Sequence, residues 1–365
     1  MSARLRGVAQ ETERIVAAGR YRAPDGREVL LAADIEAARA GTRMFGPGPV
    51  ESPEFAPVAD SAPTATSGPA AAFAPVAGFG QVAGSAPADT FFEVTGESSL
   101  EAARRLVGGG PEADRRPGGA AADRATGRLA GSSAVRAGGG PPAGGSAAEP
   151  ADPPAGGSAA RSARPSARRV AVLNFASARN PGGGFLNGAQ AQEEALCRAS
   201  ALYTCLLQAR EFYDHHRAHR DPFYTDRVIH SPAVPVFRDD RGRLLDSALL
   251  VGFLTAAAPN AGVVRRTAPE RVAELPRALA VRAEQVLSVA AAEGYRRLVL
   301  GAWGCGVFQN DPAQVAGAFR TLLAPGGRFA GAFEHVVFGV LDRTPGAVVR
   351  QAFVTAFAEQ QPVRS

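Results

Sequence analysis

The sequence predicts an α/β fold in which one sheet lies between layers of helices. From residue 169 onward, short apolar runs rich in β-branched residues alternate with longer segments of helical periodicity. The connections are long enough for parallel neighbours, and we expect some antiparallel pairing as well. Glycine-rich loops follow two of the apolar runs, and open α/β sheets bind ligands where such loops lie. The alternation and the two loops together predict a layered sheet with a binding site at one edge.

Residues 1–107 are predicted to form an N-terminal extension that contains a helix, a hairpin and the start of the core. Val8, Ile15 and Val16 recur among charges at helical spacing. Residues 21–31 carry Pro-Asp-Gly at their centre, which is typical of a hairpin turn. A short strand over 91–95 and a helix over 98–106 follow.

Two stretches are not expected to form regular structure. Residues 47–88 are rich in Pro, Ala and Gly, and we expect them to be weakly structured. Residues 108–168 consist of glycine- and proline-rich low-complexity repeats. Such a composition does not offset the entropy of ordering a chain. We therefore predict that residues 108–168 are a disordered insertion.

Residues 169–358 are predicted to be the catalytic core. Apolar runs predict strands over 170–175, 228–237, 249–255, 298–302 and 336–341. Helical periodicity predicts helices over 193–208, 270–293 and 312–323.

Composition restricts the class of protein. The net charge of +5 and the pI of about 9.6 weakly favour anionic partners. The 3 cysteines form no paired framework, which favours a reduced, cytoplasmic protein. No apolar run approaches the roughly 20 residues of a membrane span. Three histidines, at positions 215, 216 and 219, lie together, and we interpret them as a solvated helix face rather than a metal site.

The most informative segment begins with Asn174 at the end of the first core strand. Gly182, Gly183 and Gly184 follow, and 7 residues separate them from Gln192, Glu193 and Glu194. Glycine has no Cβ, so three in a row let the backbone approach a ligand closely. Adjacent acids at a helix start usually complement the helix dipole. Beside a glycine loop, mutual repulsion and burial instead favour holding one of them protonated, as a general acid requires.

A second glycine-rich loop follows the strand predicted near residue 300. Its central residues are Gly304, Cys305, Gly306, Val307 and Phe308. Asp311 and Pro312 are suited to the N-cap and N1 positions of the next helix. If the two loops face each other, their backbone amides would enclose a diphosphate.

Two residues near this second loop have competing interpretations. Trp303, the only tryptophan, is expected to anchor the loop in the core rather than to stack on a ligand. Cys305 has no histidine near it in sequence, so we interpret it as a small residue beside the phosphates rather than a nucleophile.

The first segment resembles the signature of poly(ADP-ribose) glycohydrolases, in which Gly-Gly-Gly is followed by six to eight residues and Gln-Glu-Glu. Its context, P-G-G-G-F and then Q-E-E-A-L-C-R, looks like the bacterial-type branch. The second segment, L-G-A-W-G-C-G-V-F-Q-N-D-P, resembles the diphosphate loop of macrodomains. The resemblance implies a macrodomain-like three-layer core with a mixed sheet between helices.

The resemblance also implies roles for individual residues. Glu194 matches the acid that cleaves the ribose–ribose O-glycosidic bond, and Glu193 matches the residue that contacts a ribose hydroxyl. Gln192 would orient the loop or touch ribose, and Phe308 matches an aromatic that borders the distal ribose. Ser177 departs from the second asparagine often found after the first strand. The expected substrate-binding residues are Asn174, Gly182, Gly183, Gly184, Gln192, Gly304, Cys305, Gly306, Val307 and Phe308.

We therefore expect a poly(ADP-ribose) glycohydrolase that is monomeric and requires neither cofactor nor metal. Its partners would be poly(ADP-ribose) and ADP-ribosylated proteins, without a membrane or a specific nucleic acid. Two alternatives stay open: a macrodomain-like reader that binds ADP-ribose without cleaving it, and a mono-ADP-ribosyl hydrolase. The Gln-Glu-Glu favours an enzyme over a reader, whereas the sequence does not separate the two hydrolases.

Overall fold

A mixed seven-stranded sheet organises the protein. The computed structural model describes residues 2–48, 50, 90–108 and 169–358. The strands are β1 (Arg20–Arg22), β2 (Glu28–Leu30), β3 (Arg43–Phe45), β4 (Phe91–Thr95), β5 (Val170–Phe175), β6 (Val228–Arg238), β7 (Leu244–Ala256), β8 (Arg297–Leu300) and β9 (His335–Gly339). The large sheet has the order β3-β6-β7-β5-β8-β9-β4, and β1 and β2 form a separate hairpin.

The sheet is parallel except for one strand. β5 pairs in parallel with β7 and β8, β8 pairs with β9, and β9 pairs with β4. β6 runs antiparallel to both β3 and β7. The predicted mixed sheet is therefore confirmed, and the carboxyl ends of β5, β7 and β8 lie side by side at one edge.

Helices cover both faces of the sheet. They are α1 (Ala3–Ala18), α2 (Ala32–Gly41), α3 (Ser99–Gly108), α4 (Gln192–Ala199), α5 (Leu202–Leu206), α6 (Arg210–Ala218), α7 (Ala261–Thr267), α8 (Leu275–Ala292), α9 (Pro312–Leu323) and α10 (Val348–Phe357). Buried residues of α1 to α6 form one core, and those of α8 to α10 form another.

Strand β5 contributes to both cores. Val170 and Val172 belong to the core under α1 to α6, whereas Ala171 and Leu173 belong to the core under α8 to α10. Successive side chains of a strand point to opposite faces. A strand covered on both faces must therefore be apolar at nearly every position, which explains the apolar run over 170–173.

Residues of the predicted N-terminal extension take part in the sheet. β3 and β4 are its two edge strands, and β4 aligns Phe91 with His335 of β9. The predicted hairpin is present, with Arg20 opposite Leu30 and Gly26 at φ +87° in the turn. The weakly structured stretch predicted over 47–88 and the disordered insertion predicted over 108–168 lie almost wholly outside the described residues.

One predicted helix is divided. The helix predicted over 193–208 breaks at Ser200, which is extended at φ −147° and forms a bridge with Val236 of β6. The Ser200 hydroxyl donates to the Leu196 carbonyl at 2.7 Å and accepts from the Leu202 amide at 3.2 Å. Serine competes in this way for backbone groups and disfavours helix interiors.

The helix predicted over 270–293 begins later than expected. A 3-10 turn spans Pro269–Glu274, and the α-helix begins only at Leu275. Pro276 fits the first turn of α8 because the amide that proline lacks would have no helical partner there. No helix among the described residues is long and apolar enough to cross a membrane.

Candidate active site at the carboxyl edge of the sheet

The first glycine loop, residues 176–184, leaves the end of β5 and leads to α4. Gly182 and Gly183 both adopt the left-handed backbone, at φ +65° and +58°. A Cβ on Gly183 would collide with Oε1 of Glu194, and one on Gly182 would press on Tyr203 and Cys197. Both positions therefore need glycine for conformation and for space.

The carboxyl group of Glu194 lies directly beside this loop. The Gly184 amide donates to its Oε1 atom at 2.9 Å. Its Oε2 atom is buried and has no hydrogen-bond partner among the described residues. The carboxyl group is thus fixed by a hydrogen bond at one oxygen only. The other oxygen forms no hydrogen bond within the described residues, although the residue is only 8% exposed.

Glu193 is buried more deeply and is bound at both oxygens. The Ser177 amide donates to Oε2 at 2.6 Å, and Nδ2 of Asn174 donates to Oε1 at 3.3 Å. Burial raises the pKa of Glu193 to about 8, the Glu194 charge adds to this, and the hydrogen bonds oppose it. Ser177, which departs from the family pattern, thus contributes its backbone amide rather than its side chain.

Asn174 and Gln192 connect the acids to the sheet. Nδ2 of Asn174 also donates to Oγ1 of Thr255 on β7, at 3.1 Å, while Oδ1 is buried without a partner among the described residues. Gln192 accepts from the Phe175 amide at 2.8 Å and donates to the Leu173 carbonyl at 2.7 Å. It also donates to Oγ of Ser99 on α3 at 3.1 Å. Gln192 therefore fastens the start of α4 to β5.

The second glycine loop, residues 301–308, follows β8, the parallel neighbour of β5. Gly301, its first residue, has no room for a side chain, because a Cβ there would lie 2.6 Å from the Gly339 carbonyl and 3.2 Å from Cζ of Phe175 on β5. Nε1 of Trp303 donates to the Ala256 carbonyl at the end of β7, at 3.0 Å. Trp303 is buried, so it anchors the loop in the core as expected.

Two glycines of this loop, Gly304 and Gly306, differ in the space around them. Gly304 has φ +71°, and a Cβ there would collide with Asn310 and Ala258. Nδ2 of Asn310 donates to the Pro259 carbonyl at 2.8 Å, which closes the loop onto the segment after β7. Gly306 faces open space, and its neighbour Val307 is 80% exposed. The tip of the loop is therefore accessible while its base is fixed.

Cys305 is poorly suited to act as a nucleophile. Burial raises the pKa of its thiol to about 12, and the Asp311 charge adds to this effect. A thiol with so high a pKa carries almost no thiolate at neutral pH, and the thiolate is the reactive form. No cluster of three or more potential metal-ligating side chains occurs in the described ranges.

An aromatic pair borders the second loop. Phe308 lies 5.8 Å from Tyr224, measured between ring centroids. Tyr224 has φ +58°, a strained backbone for a bulky residue. Sequence reasoning found Phe308 but missed Tyr224, because no local pattern marks a left-handed tyrosine.

The N-terminal helix braces the first loop from the other side. The Ser2 amide donates to the Gly188 carbonyl at 3.1 Å, and Oγ1 of Thr12 donates to the Arg198 carbonyl at 2.7 Å. Arg198 in turn donates to the Ala189 carbonyl at 2.7 Å. These contacts hold the segment between the glycine loop and α4. The sequence carried no signal for them, since they join residues far apart in the chain.

Comparison with known proteins places this geometry in a family. The profile of the microbial-type PARG catalytic domain matches residues 9–151 and 156–239, which include the first loop and both glutamates. A comparison with curated proteins found no similar chain.

Solved structures extend the similarity to the second loop. The poly(ADP-ribose) glycohydrolase of Thermomonospora curvata is 39% identical, with a TM-score of 0.69, and the alignment covers 98% of this chain and 100% of that one. The same enzyme bound to the inhibitor ADP-HPD aligns with a TM-score of 0.68. The Deinococcus radiodurans enzyme in complex with ADP-ribose is 35% identical, with a TM-score of 0.59, covering 89% of this chain and 97% of that one. The chain therefore belongs to the microbial-type poly(ADP-ribose) glycohydrolase family.

Proposed function

We propose that this chain hydrolyses the ribose–ribose O-glycosidic bond of poly(ADP-ribose) to release ADP-ribose, with Glu194 as the general acid. Membership of the family makes it a glycosidase. The observation that carries the residue assignment is the state of the Glu194 carboxyl. One oxygen is fixed by the Gly184 amide, and the other is without a partner among the described residues.

The proposed reaction uses one proton and one water molecule. Glu194 protonates the bridging oxygen, the bond from the anomeric carbon to that oxygen breaks, and an oxocarbenium-like sugar forms. Glu194, now ionised, accepts a proton from water as the water oxygen bonds to the anomeric carbon. The acid is thereby regenerated, and the two products are ADP-ribose and the shortened polymer.

Glu193 supports this chemistry in two ways. Two buried carboxyl groups side by side repel when both are ionised, which favours retention of one proton on the pair. Glu193 accepts from Ser177 and Asn174 but has capacity for a further bond, and we assign that bond to a ribose hydroxyl.

The two loops are proposed to hold the diphosphate. They leave adjacent parallel strands, so their backbones lie at the same edge of the sheet. Gly183 lets the first loop lie directly against Glu194, whereas Gly306 leaves the backbone of the second loop uncovered. Backbone amides bind phosphate without a side-chain charge. Positioning of the bond by these loops supplies the part of the rate enhancement that proton transfer does not.

The decisive experiment is incubation of the full chain with purified poly(ADP-ribose), followed by separation of the products. We expect free ADP-ribose from the wild-type protein. Glu194→Gln keeps the shape of the side chain but removes its acidic proton, so kcat should fall by about 10²–10⁴. ADP-ribose binding, measured by calorimetry, should be retained.

A matched control is Glu211→Gln, which changes an exposed acid in the first turn of α6. It should leave kcat unchanged. Near-normal turnover by Glu194→Gln would remove Glu194 from the mechanism. Intact polymer that still binds the wild-type protein would favour the reader, and release of ADP-ribose only from mono-ADP-ribosylated protein would favour the other hydrolase.

A further inference from the structure

A histidine that the proposed chemistry does not use lies buried between the two loops. His216 of α6 is 0% exposed, which contradicts the solvated helix face predicted from the sequence. Its Nε2 atom is 2.8 Å from Oγ1 of Thr225. Its ring also meets the rings of Phe212 and Tyr224 edge-on, at centroid distances of 4.7 and 5.5 Å.

The same imidazole is close to the first loop. Its Nδ1 atom is buried without a hydrogen bond of ordinary geometry, and it faces the backbone of Ala178, four residues before Gly182. Burial lowers the pKa of His216 to about 4, with contributions from His215, Arg227 and Arg282, so the ring is neutral near pH 7. A neutral ring with Nδ1 protonated directs that proton toward Ala178 and accepts from the Thr225 hydroxyl at Nε2.

On the other side, His216 contacts a strained segment. Tyr224 has φ +58°, a strained backbone that a bulky residue keeps only where its surroundings hold it there. Three interactions restrain this segment. The Tyr224 amide donates a hydrogen bond to the Asp221 carbonyl at 3.2 Å, Thr225 is hydrogen-bonded to His216, and the Tyr224 ring contacts the His216 ring. The ring so placed lies against Phe308 of the second loop.

We infer that His216 is a positioning residue that joins the two ligand-binding loops, because it holds Tyr224 against Phe308 while its Nδ1 atom faces the backbone of Ala178. The inference rests on the proposed function in one respect, namely that these loops bind ADP-ribose. Loss of the histidine would loosen the loops rather than remove a group that takes part in bond cleavage. Binding should therefore suffer more than turnover.

The structure offers a matched control. His230 on β6 is also buried, and its Nε2 atom is also 2.8 Å from a hydroxyl, that of Tyr295. The Tyr295 side chain packs on Gly252 in the middle of β7 rather than at the carboxyl edge of the sheet. His216→Phe and His230→Phe each keep a ring and remove the buried hydrogen bond at Nε2. His230→Phe also loses a 3.4 Å contact between Nδ1 and Glu293.

The experiment measures KM and kcat on poly(ADP-ribose), ADP-ribose affinity by calorimetry, and backbone hydrogen exchange of the full-length protein. We expect His216→Phe to raise KM and the ADP-ribose Kd by at least about tenfold, because loosened loops need to lose only about 1.4 kcal/mol of binding free energy for that change. kcat should change much less. Exchange should quicken in segments 222–228 and 304–310. His230→Phe should lower Tm but move none of these quantities.

Thr225 provides a second, milder test if His216→Phe does not fold. Thr225→Val removes the hydroxyl at constant shape and should reproduce the rise in KM and in exchange, whereas Thr225→Ser should restore both. Folded Thr225→Val or His216→Phe proteins with wild-type KM, Kd and exchange would overturn the inference. A wild-type protein that does not bind ADP-ribose would refute the proposed function instead, and the exchange pattern would still decide the role of His216.

Discussion

At the scale of single residues, the glycines of the two loops serve different purposes. Gly183 is required by its backbone conformation and by the position of Glu194, so the fold itself depends on it. Gly306 has open space around it, so only a bound ligand would be affected by a side chain there.

This difference leads to a prediction for Gly306→Val. The variant should fold with a wild-type Tm but bind ADP-ribose at least about tenfold more weakly, because the valine would occupy the space proposed for the diphosphate. Calorimetric titration measures the binding, and Gly46→Val, in an exposed loop with open space, is the control. Normal binding by a folded Gly306→Val protein would remove the second loop from the site. Gly183→Val should instead lose both binding and stability.

The raised pKa of Glu193 predicts a pH dependence of stability. The folded state favours the protonated carboxyl, so the free energy of unfolding is highest below the ordinary pKa of 4.5. It falls as the pH rises from there toward about 8, because ionisation must then occur in a buried site. Glu193→Gln resembles the protonated form and cannot ionise, so its free energy of unfolding should not fall over this pH range.

We therefore expect the Tm of Glu193→Gln to match wild type near pH 4 and to exceed it by several degrees at pH 8. Thermal melts across this range measure the difference. A constant difference at all pH values would show that Glu193 does not titrate in this window.

At the scale of elements, the edge strand β4 is held by a cluster of charges. Glu93 accepts from Arg105 of α3 at 2.7 Å and lies 3.1 Å from Nε2 of His335 on β9. Arg105 also forms a two-point contact with Glu97. Burial alone would raise the pKa of Glu93, but the hydrogen bonds from His335 and Arg105, with their charges, lower it to about 2. The cluster joins α3 to the last strands of the sheet.

Glu93→Gln should consequently lower the free energy of unfolding at pH 7 by about 1–3 kcal/mol, since hydrogen bonds to charged groups contribute that much. The contribution is complete above the ordinary pKa of 4.5 and is lost as the pH falls toward about 2. Urea unfolding at pH 7 and pH 3 tests both statements. Glu28→Gln, which breaks an exposed pair with Arg20, should cost less than about 1 kcal/mol. An equal loss from both variants would contradict the prediction.

At the scale of the whole molecule, the core is assembled from segments that are distant in sequence. α3, which ends at Gly108, packs against β5 and β8, and Arg297 of β8 donates to the Leu106 carbonyl at 3.1 Å. The segments that precede and follow residues 108–168 therefore belong to the same core.

Deletion of residues 112–164 should leave folding and turnover nearly unchanged. Its sequence lacks the apolar residues that would build a core, and the entropy of closing a connection between two fixed ends changes little with its length. Tm and kcat of the deletion variant measure this. Failure to fold would show that the stretch is structural, and weaker polymer binding at low salt alone would show that its arginines matter.

The sequence alone determined the features that depend on neighbouring residues. Strand β5, the glycine loop, the paired acids and the Asp311 cap are encoded locally, because periodicity, left-handed backbone and capping require particular residue types at short spacing. The resemblance to the family, and the chemistry that it implies, came from residues 174–194.

Only the tertiary structure decided which distant residues complete the site. Ser99, Thr255, Tyr224 and His216 reach it from separate elements, and no local sequence pattern marks them as residues of the site. The break at Ser200 likewise depends on its bridge to β6, which local propensity does not contain. Burial and long-range hydrogen bonding assign these roles, and both arise only when the sheet brings its strands together.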